Sequence, residues 1–164
     1  MARILIVGGG CRGRRLAATL AGERHAVRIT TRSEDRRAAI EASGAECWIG
    51  TPDRLATLRA ALEGVTIVCW LLGSATGPEQ ELRALHATRL EFFATQAIDT
   101  TVRGFIYEAR GTMPAEVLGR GVEIVRSIAE QNAIPLALLT ADPIDEGAWQ
   151  EQAGAAVDSL LIGA

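Results

Sequence analysis

The chain has 164 residues, 48% hydrophobic and 23% charged, with a net charge of −3. That balance suits one folded domain over residues 1–164 and excludes a disordered chain, and the mild acidity argues against a nucleic-acid partner, because neutralising phosphates needs a basic face. No apolar run approaches the roughly 20 residues that cross a bilayer, and the opening MARILIVGGG is too short, and lacks the cleavage site, for a secretory signal, so the expectation is a cytoplasmic protein with no membrane partner.

The first predicted element is Arg3–Val7 (RILIV), a continuous apolar run that reads as a strand buried on both faces. Arg14–Ala21 reads as a helix through Leu16, Ala17, Leu20 and Ala21. Val27–Thr31 is a second strand. Glu34–Ser43 is a helix stopped by Gly44, and Glu46–Ile49 is a short third strand. Asp53 is placed to cap a helix through Leu55, Leu58, Ala61 and Leu62 that ends at Gly64. Val65–Leu72 (VTIVCWLL) is the fourth and most apolar strand. A long helix is predicted over residues 78–100, with Leu82, Leu85, Leu90, Phe93 and Ala97 at helical spacing. Gly104–Glu108 is a fifth strand. Glu116–Gln131 is a helix despite Gly119 and Gly121, Leu136–Thr140 is a sixth strand, and an amphipathic helix from Trp149 to Leu161 closes the chain. Strand and helix thus alternate throughout. The pattern predicts an α/β fold with a doubly wound parallel sheet of six strands in the order 3-2-1-4-5-6.

Directly after the first strand stands Gly8-Gly9-Gly10-Cys11-Arg12-Gly13, in which Gly8, Gly10 and Gly13 satisfy G-x-G-x-x-G between a strand and a helix. Gly8 permits the tight turn, Gly10 lets the backbone approach a pyrophosphate, and Gly13 lets helix and strand pack closely. The helix start then offers free N–H groups to phosphates. A dinucleotide partner is therefore expected, with Cys11 and Arg12 in the binding loop. Nineteen residues after Gly13 stands Arg32, where an acidic residue would bind the ribose hydroxyls of NAD. A guanidinium there suits a 2′-phosphate, Ser33 can donate to it, and Arg36 or Arg37 stands near, so NADP is the expected cofactor and NAD the less favoured one. Leu71, Leu72 and Gly73, at the end of the fourth strand, are expected to flank the ribose and pyrophosphate.

All 17 basic residues are arginine. Chemistry that needs a lysine amine, such as Schiff-base formation, is excluded. Cys11, Cys47 and Cys69 have no metal or redox spacing, and with only two histidines no metal site is expected.

The segments ILIVGGGCRGRRLA, VRITTR, GAECWIGTPDRLATLRAALEGVTIVCWLL, GFIYE and GVEIVRSIAEQNAIPLALLTADP together resemble the atypical and extended short-chain dehydrogenase/reductase superfamily, NAD(P)-binding Rossmann proteins that include epimerases and NmrA-like regulators. The resemblance covers about residues 3–143. It implies a Rossmann fold, and the chain departs from the family's pattern at each catalytic position. Gly50-Thr51 replaces the family's Gly-Asp. The serine positions read Glu108-Ala109-Arg110, and those of Tyr-x-x-x-Lys read Ala115 and Gly119. The single tyrosine, Tyr107, lies inside the fifth strand, and little chain follows the sixth strand to form a substrate lobe. A proton donor beside the nicotinamide is what carbonyl reduction needs.

The expected function is therefore an NADP(H)-binding protein without catalysis, a sensor or regulatory protein. Two alternatives are an NADPH-dependent oxidoreductase using other residues, for instance Glu108 paired with Arg110, and a scaffold for protein contact. Asp142, Asp145 and Glu146 are expected in loop and capping roles. A homodimer through the helices 78–100 and 116–131 is also expected, since Phe92 and its neighbours supply more apolar bulk than one sheet face uses.

Overall fold

Each apolar run becomes a strand because its side chains can be buried alternately on two sides. In the computed structural model, which describes residues 1–163, β1 (Arg3–Gly8), β2 (Ala26–Thr31), β3 (Glu46–Ile49), β4 (Ile67–Leu71), β5 (Gly104–Glu108) and β6 (Leu136–Leu139) form one sheet. All five strand pairs are parallel, and the order is β3-β2-β1-β4-β5-β6, as the alternation of elements predicts. The order reverses between β1 and β4, where Val7 pairs with Trp70 and Gly8 with Leu71. In such sheets the crevice beyond the strand ends at this reversal is where ligands bind.

The helices are α1 (Gly10–Gly22), α2 (Arg37–Ala42), α3 (Ala56–Arg59), α4 (Glu79–Leu85), α5 (Thr88–Ala97), α6 (Ala115–Asn132) and α7 (Glu146–Ile162). Ile4 and Ile6 of β1 face one layer, packing with Leu16, Leu20, Ile40 and Trp149 from α1, α2 and α7. Leu5 and Val7 face the other, with Leu58, Leu90, Phe93 and Val125 from α3, α5 and α6. Burying each of these side chains contributes about 1.5–3 kcal/mol, which is why strands and layers assemble together.

Three predicted elements need correction. The helix expected over residues 78–100 is two helices, α4 and α5, separated at His86–Ala87. Leu85 and Leu90 are both buried. Five residues of continuous α-helix would set them about 140° apart, so the chain breaks to bring both inward. Asp53 does not cap α3, whose preceding residue is Leu55; it is held in ion pairs instead. The helix expected at Glu34–Ser43 starts as a 3-10 turn, Glu34–Arg36, and only then becomes α2. By contrast Asp145 caps α7 as expected, its side chain accepting from the Ala148 N–H.

Among the described residues, no helix is long and apolar enough to cross a membrane.

Candidate functional site: a glycine-walled cleft at the sheet reversal

The backbone leaves β1 through three successive glycines with positive φ: Gly8 at 80°, Gly9 at 88° and Gly10 at 53°. L-residues avoid this region, so the turn depends on glycine. A Cβ on Gly8 would also overlap the Leu72 side chain and stand 2.8 Å from the Leu71 carbonyl oxygen. A Cβ on Gly13 would stand 3.0 Å from the Gly8 carbonyl oxygen, so its absence sets how closely α1 approaches β1. A Cβ on Gly10 would meet nothing within 4 Å. The three glycines thus play separate parts: turn, close packing and an open approach to the backbone. Gly9 precedes α1 without a side-chain cap, and no acidic residue stands in the helix's first turn. The first N–H groups of such a helix have no intrahelical partner and lie at the positive end of its dipole.

Above this turn lies a cleft of about 540 Å³. Of the residues singled out in the sequence, Gly8, Gly10, Cys11, Arg32 and Leu72 line it. Arg14, Thr30, Thr31, Arg36, Gly50, Pro52 and Thr76 line it as well. The lining therefore carries three guanidinium groups and no carboxylate. Arg14 reaches Cys11 Sγ at 3.2 Å, and the Arg36 side chain has no hydrogen bond or ion pair among the described residues. Arg37, the alternative at the same turn, is occupied by Glu34 and Glu41. Arg32 is paired with Asp53 at 2.9 Å.

Five of the expected site residues do not line the cleft. Arg12 turns back from the loop, its guanidinium lying 5.7 Å from the Trp149 ring centre, and its carbonyl accepts from Gln150 Nε2 at 2.9 Å. Ser33 is exposed beside the 3-10 turn. Gly13 and Leu71 are buried in the packing beneath the loop. Gly73 donates its N–H to Glu108 Oε1 at 2.7 Å. A Cβ there would approach that same oxygen to 2.8 Å.

The Glu108–Arg110 pair that the oxidoreductase alternative would use does not form. Arg110 bonds Asp142 at 2.9 Å. Glu108 is 1% exposed and accepts from Gly73 through Oε1 and from Trp149 Nε1 through Oε2 at 2.8 Å. Burial pushes its carboxyl pKa up, while the Trp149 and Gly73 donors and the Arg12 charge pull it down. Both oxygens are thus engaged in joining β4, β5 and α7 under the cleft. Arg15 adds a further tie from α1 to α7 through Glu146.

His86 was not singled out by the sequence, yet it is fully buried where α4 gives way to α5. Its Nε2 lies 2.9 Å from the Leu72 carbonyl oxygen, and its Nδ1 lies 2.7 Å from Tyr107 Oη. A carbonyl only accepts, so Nε2 carries the proton and Nδ1 accepts from the tyrosine hydroxyl. Tyr107 is itself fully buried in β5. Neither group opens to the cleft; their role is to hold the strand end that carries Leu72.

Burial lowers the His86 pKa, against the opposing pull of the Leu72 carbonyl. The unfolded chain therefore takes up this proton first as pH falls. The stability tied to neutral His86 is present above pH 6.5, its ordinary value, and is lost as pH falls through the lower folded value. Melting curves should show wild type losing stability relative to His86→Gln as pH drops from about 7.5 to about 5. Parallel curves for the two proteins would contradict this assignment.

No protein-family model matches the chain, and no curated protein matches it. Solved structures do. A short-chain dehydrogenase/reductase superfamily protein from Agrobacterium tumefaciens with bound NAD superposes with a TM-score of 0.67 at 19% identity, over 98% of this chain and 62% of its own. The Citrobacter sp. triphenylmethane reductase complexed with NADP(H) gives 0.62 at 18% identity, over 83% and 48%. UDP-glucuronic acid 4-epimerase from Bacillus cereus, in complex with NAD, gives 0.64 at 12% identity, over 83% and 55%. The chain spans about half to three fifths of the length of these proteins. At such identities the likeness is one of fold: this chain shares the Rossmann-like α/β fold of these proteins.

Proposed function

We propose that the chain is a single dinucleotide-binding unit that takes up NADP(H) in the cleft and does not itself catalyse hydride transfer, acting as a sensor or regulatory protein. The observation that carries this reading is the pairing of a left-handed glycine turn at the start of α1 with a cleft lined by Arg14, Arg32 and Arg36 and by no carboxylate. The turn suits a pyrophosphate, and the arginines suit the further charge of a 2′-phosphate. NAD recognition usually uses an acidic residue at the end of the second strand. Here Thr30, Thr31 and Arg32 occupy that place. The fold neighbours include a reductase complexed with NADP(H) and an epimerase in complex with NAD, which supports a nicotinamide dinucleotide.

The non-catalytic reading is supported by what the side chains near the cleft are committed to. Glu108 has both oxygens bonded, Tyr107 is bonded to buried His86, and Arg110 is paired with Asp142. The titratable groups on the cleft wall are Cys11 and the three arginines. When bound, the cofactor would supply a hydride; this chain supplies binding, with no positioned acid to protonate a carbonyl oxygen. The same reading includes cytoplasmic residence, which three free cysteines suit, and a homodimer through α5 and α6, for which Phe92, 54% exposed on α5, is the apolar contact.

The test is to incubate the protein with NADPH and a panel of carbonyl and quinone acceptors while following nicotinamide absorbance. The expected result is no oxidation above the protein-free rate. Multiple turnover with any acceptor would overturn the non-catalytic part and leave an oxidoreductase.

A further inference from the structure

Arg32 does not stand alone at the cleft. Behind it Asp53 follows β3 in a turn in which the Arg54 N–H donates to the Thr51 carbonyl at 3.0 Å. The Thr51 hydroxyl both accepts from the Asp53 N–H at 3.2 Å and lies 3.3 Å from Asp53 Oδ2. Arg89 Nη1, arriving from α5, donates to Asp53 Oδ1 at 2.6 Å. The second oxygen, Oδ2, lies 2.9 Å from Arg32 Nη2. The Asp53 and Arg89 side chains are only 24% and 25% exposed, whereas Arg32 is 58% exposed. The carboxylate is thus fixed from behind, and Arg32 is the outward member of the triad.

The charges matter as much as the distances. Two guanidiniums share one carboxylate, so the triad keeps a net positive charge. A phosphate approaching Arg32 meets an oriented cation rather than a neutralised pair. Ion pairs made by an arginine as exposed as Arg32 contribute little to folding stability. Their effect lies in binding, because a long side chain that is already ordered loses less freedom when it engages a ligand.

We propose that Asp53, braced by Arg89, is a positioning residue: it holds the Arg32 guanidinium at the cleft wall with a free edge for a phosphomonoester, the 2′-phosphate of the dinucleotide. This rests on the NADP(H) reading above and adds to it the residues that set the preference for the phosphorylated form.

The experiment measures dissociation constants of NADPH and NADH for the full chain and for Asp53→Asn, Asp53→Glu and Arg89→Gln. The readout is the ratio of the two constants, which a general loss of folding does not alter selectively. Asp53→Asn and Arg89→Gln are expected to weaken NADPH about three- to tenfold, the scale of ordering one long side chain, and to leave NADH unchanged. Asp53→Glu, which keeps the charge, is expected to recover part of the ratio. An unchanged ratio in Asp53→Asn overturns the proposal. So does a tighter hold on NADPH, which would make Asp53 a competitor for Arg32, and so does equal weakening of both nucleotides. Wild type with no preference for NADPH sinks the NADP(H) reading and this proposal together; preference in wild type with an unaltered ratio in the variants sinks this proposal alone.

Discussion

Gly121→Ala is expected to lower stability by about 1–3 kcal/mol, or the melting temperature by about 2–12 °C. Alanine in place of a helical glycine normally adds about 1 kcal/mol. Gly121, however, is buried in α6 directly against Tyr107, and a Cβ there would overlap the tyrosine hydroxyl and its ring carbon. The ring cannot withdraw. It is fully buried, its hydroxyl is bonded to His86, and His86 is bonded in turn to the Leu72 carbonyl. Overpacking costs about 1–3 kcal/mol, and disturbing the hydroxyl's bonds adds about 1 kcal/mol. Two residues earlier, a Cβ on Gly119 would meet nothing within 4 Å. Gly119→Ala should therefore stabilise by about 1 kcal/mol. Opposite signs at neighbouring glycines, read by thermal melts, are the outcome to look for; two stabilising substitutions would contradict the Tyr107 contact.

The second large effect is on binding. Gly8→Val should reduce NADPH affinity by more than tenfold, since the turn's φ of 80° is closed to a β-branched residue and the new side chain would drive Leu72 from its place. Stability should fall too, so Gly8 alone cannot separate folding from binding. Gly10→Ala can. Its φ of 53° lies in the left-handed basin, and its Cβ would project into open space. The strain costs about 1–2 kcal/mol, while a methyl group at the cleft wall stands where the backbone would otherwise meet phosphate. A folded Gly10→Ala protein that binds NADPH as well as wild type would contradict the glycine turn's assigned role.

The fold was legible because its signals are local and repeated. Runs such as RILIV and VTIVCWLL need burial on both sides, and the glycines at 44 and 64 mark where chains turn; both have positive φ. The glycine turn was legible for the same reason. What was not legible depends on contacts distant in sequence. Whether Leu85 and Leu90 lie on one helix is decided by the need to bury both, and the break there turns His86 inward. Asp53 resembles a helix cap by its position, but Arg32 and Arg89 claim its carboxylate from 21 and 36 residues away. Glu108 and Arg110 look like a pair in sequence, yet β5 ends at Glu108, whose carboxylate lies in the core, and Arg110 follows in the loop and bonds Asp142. Arg12 and Arg14 both belong to the glycine segment, and only the rotation of α1 decides that Arg14 lines the cleft while Arg12 lies over Trp149.

The proposed function requires the arginine-lined cleft to hold a phosphorylated nicotinamide dinucleotide. Its most direct test is calorimetric titration of the full chain with NADPH, NADP, NADH and NAD, repeated on Arg32→Ala. The expected result is one site per chain, tighter for NADP(H) than for NAD(H), with that difference lost in Arg32→Ala. At 100 times its dissociation constant the bound nucleotide should also add about 2.7 kcal/mol of stability. Heat of binding from none of the four nucleotides would contradict the claim and leave a Rossmann fold used for protein contact.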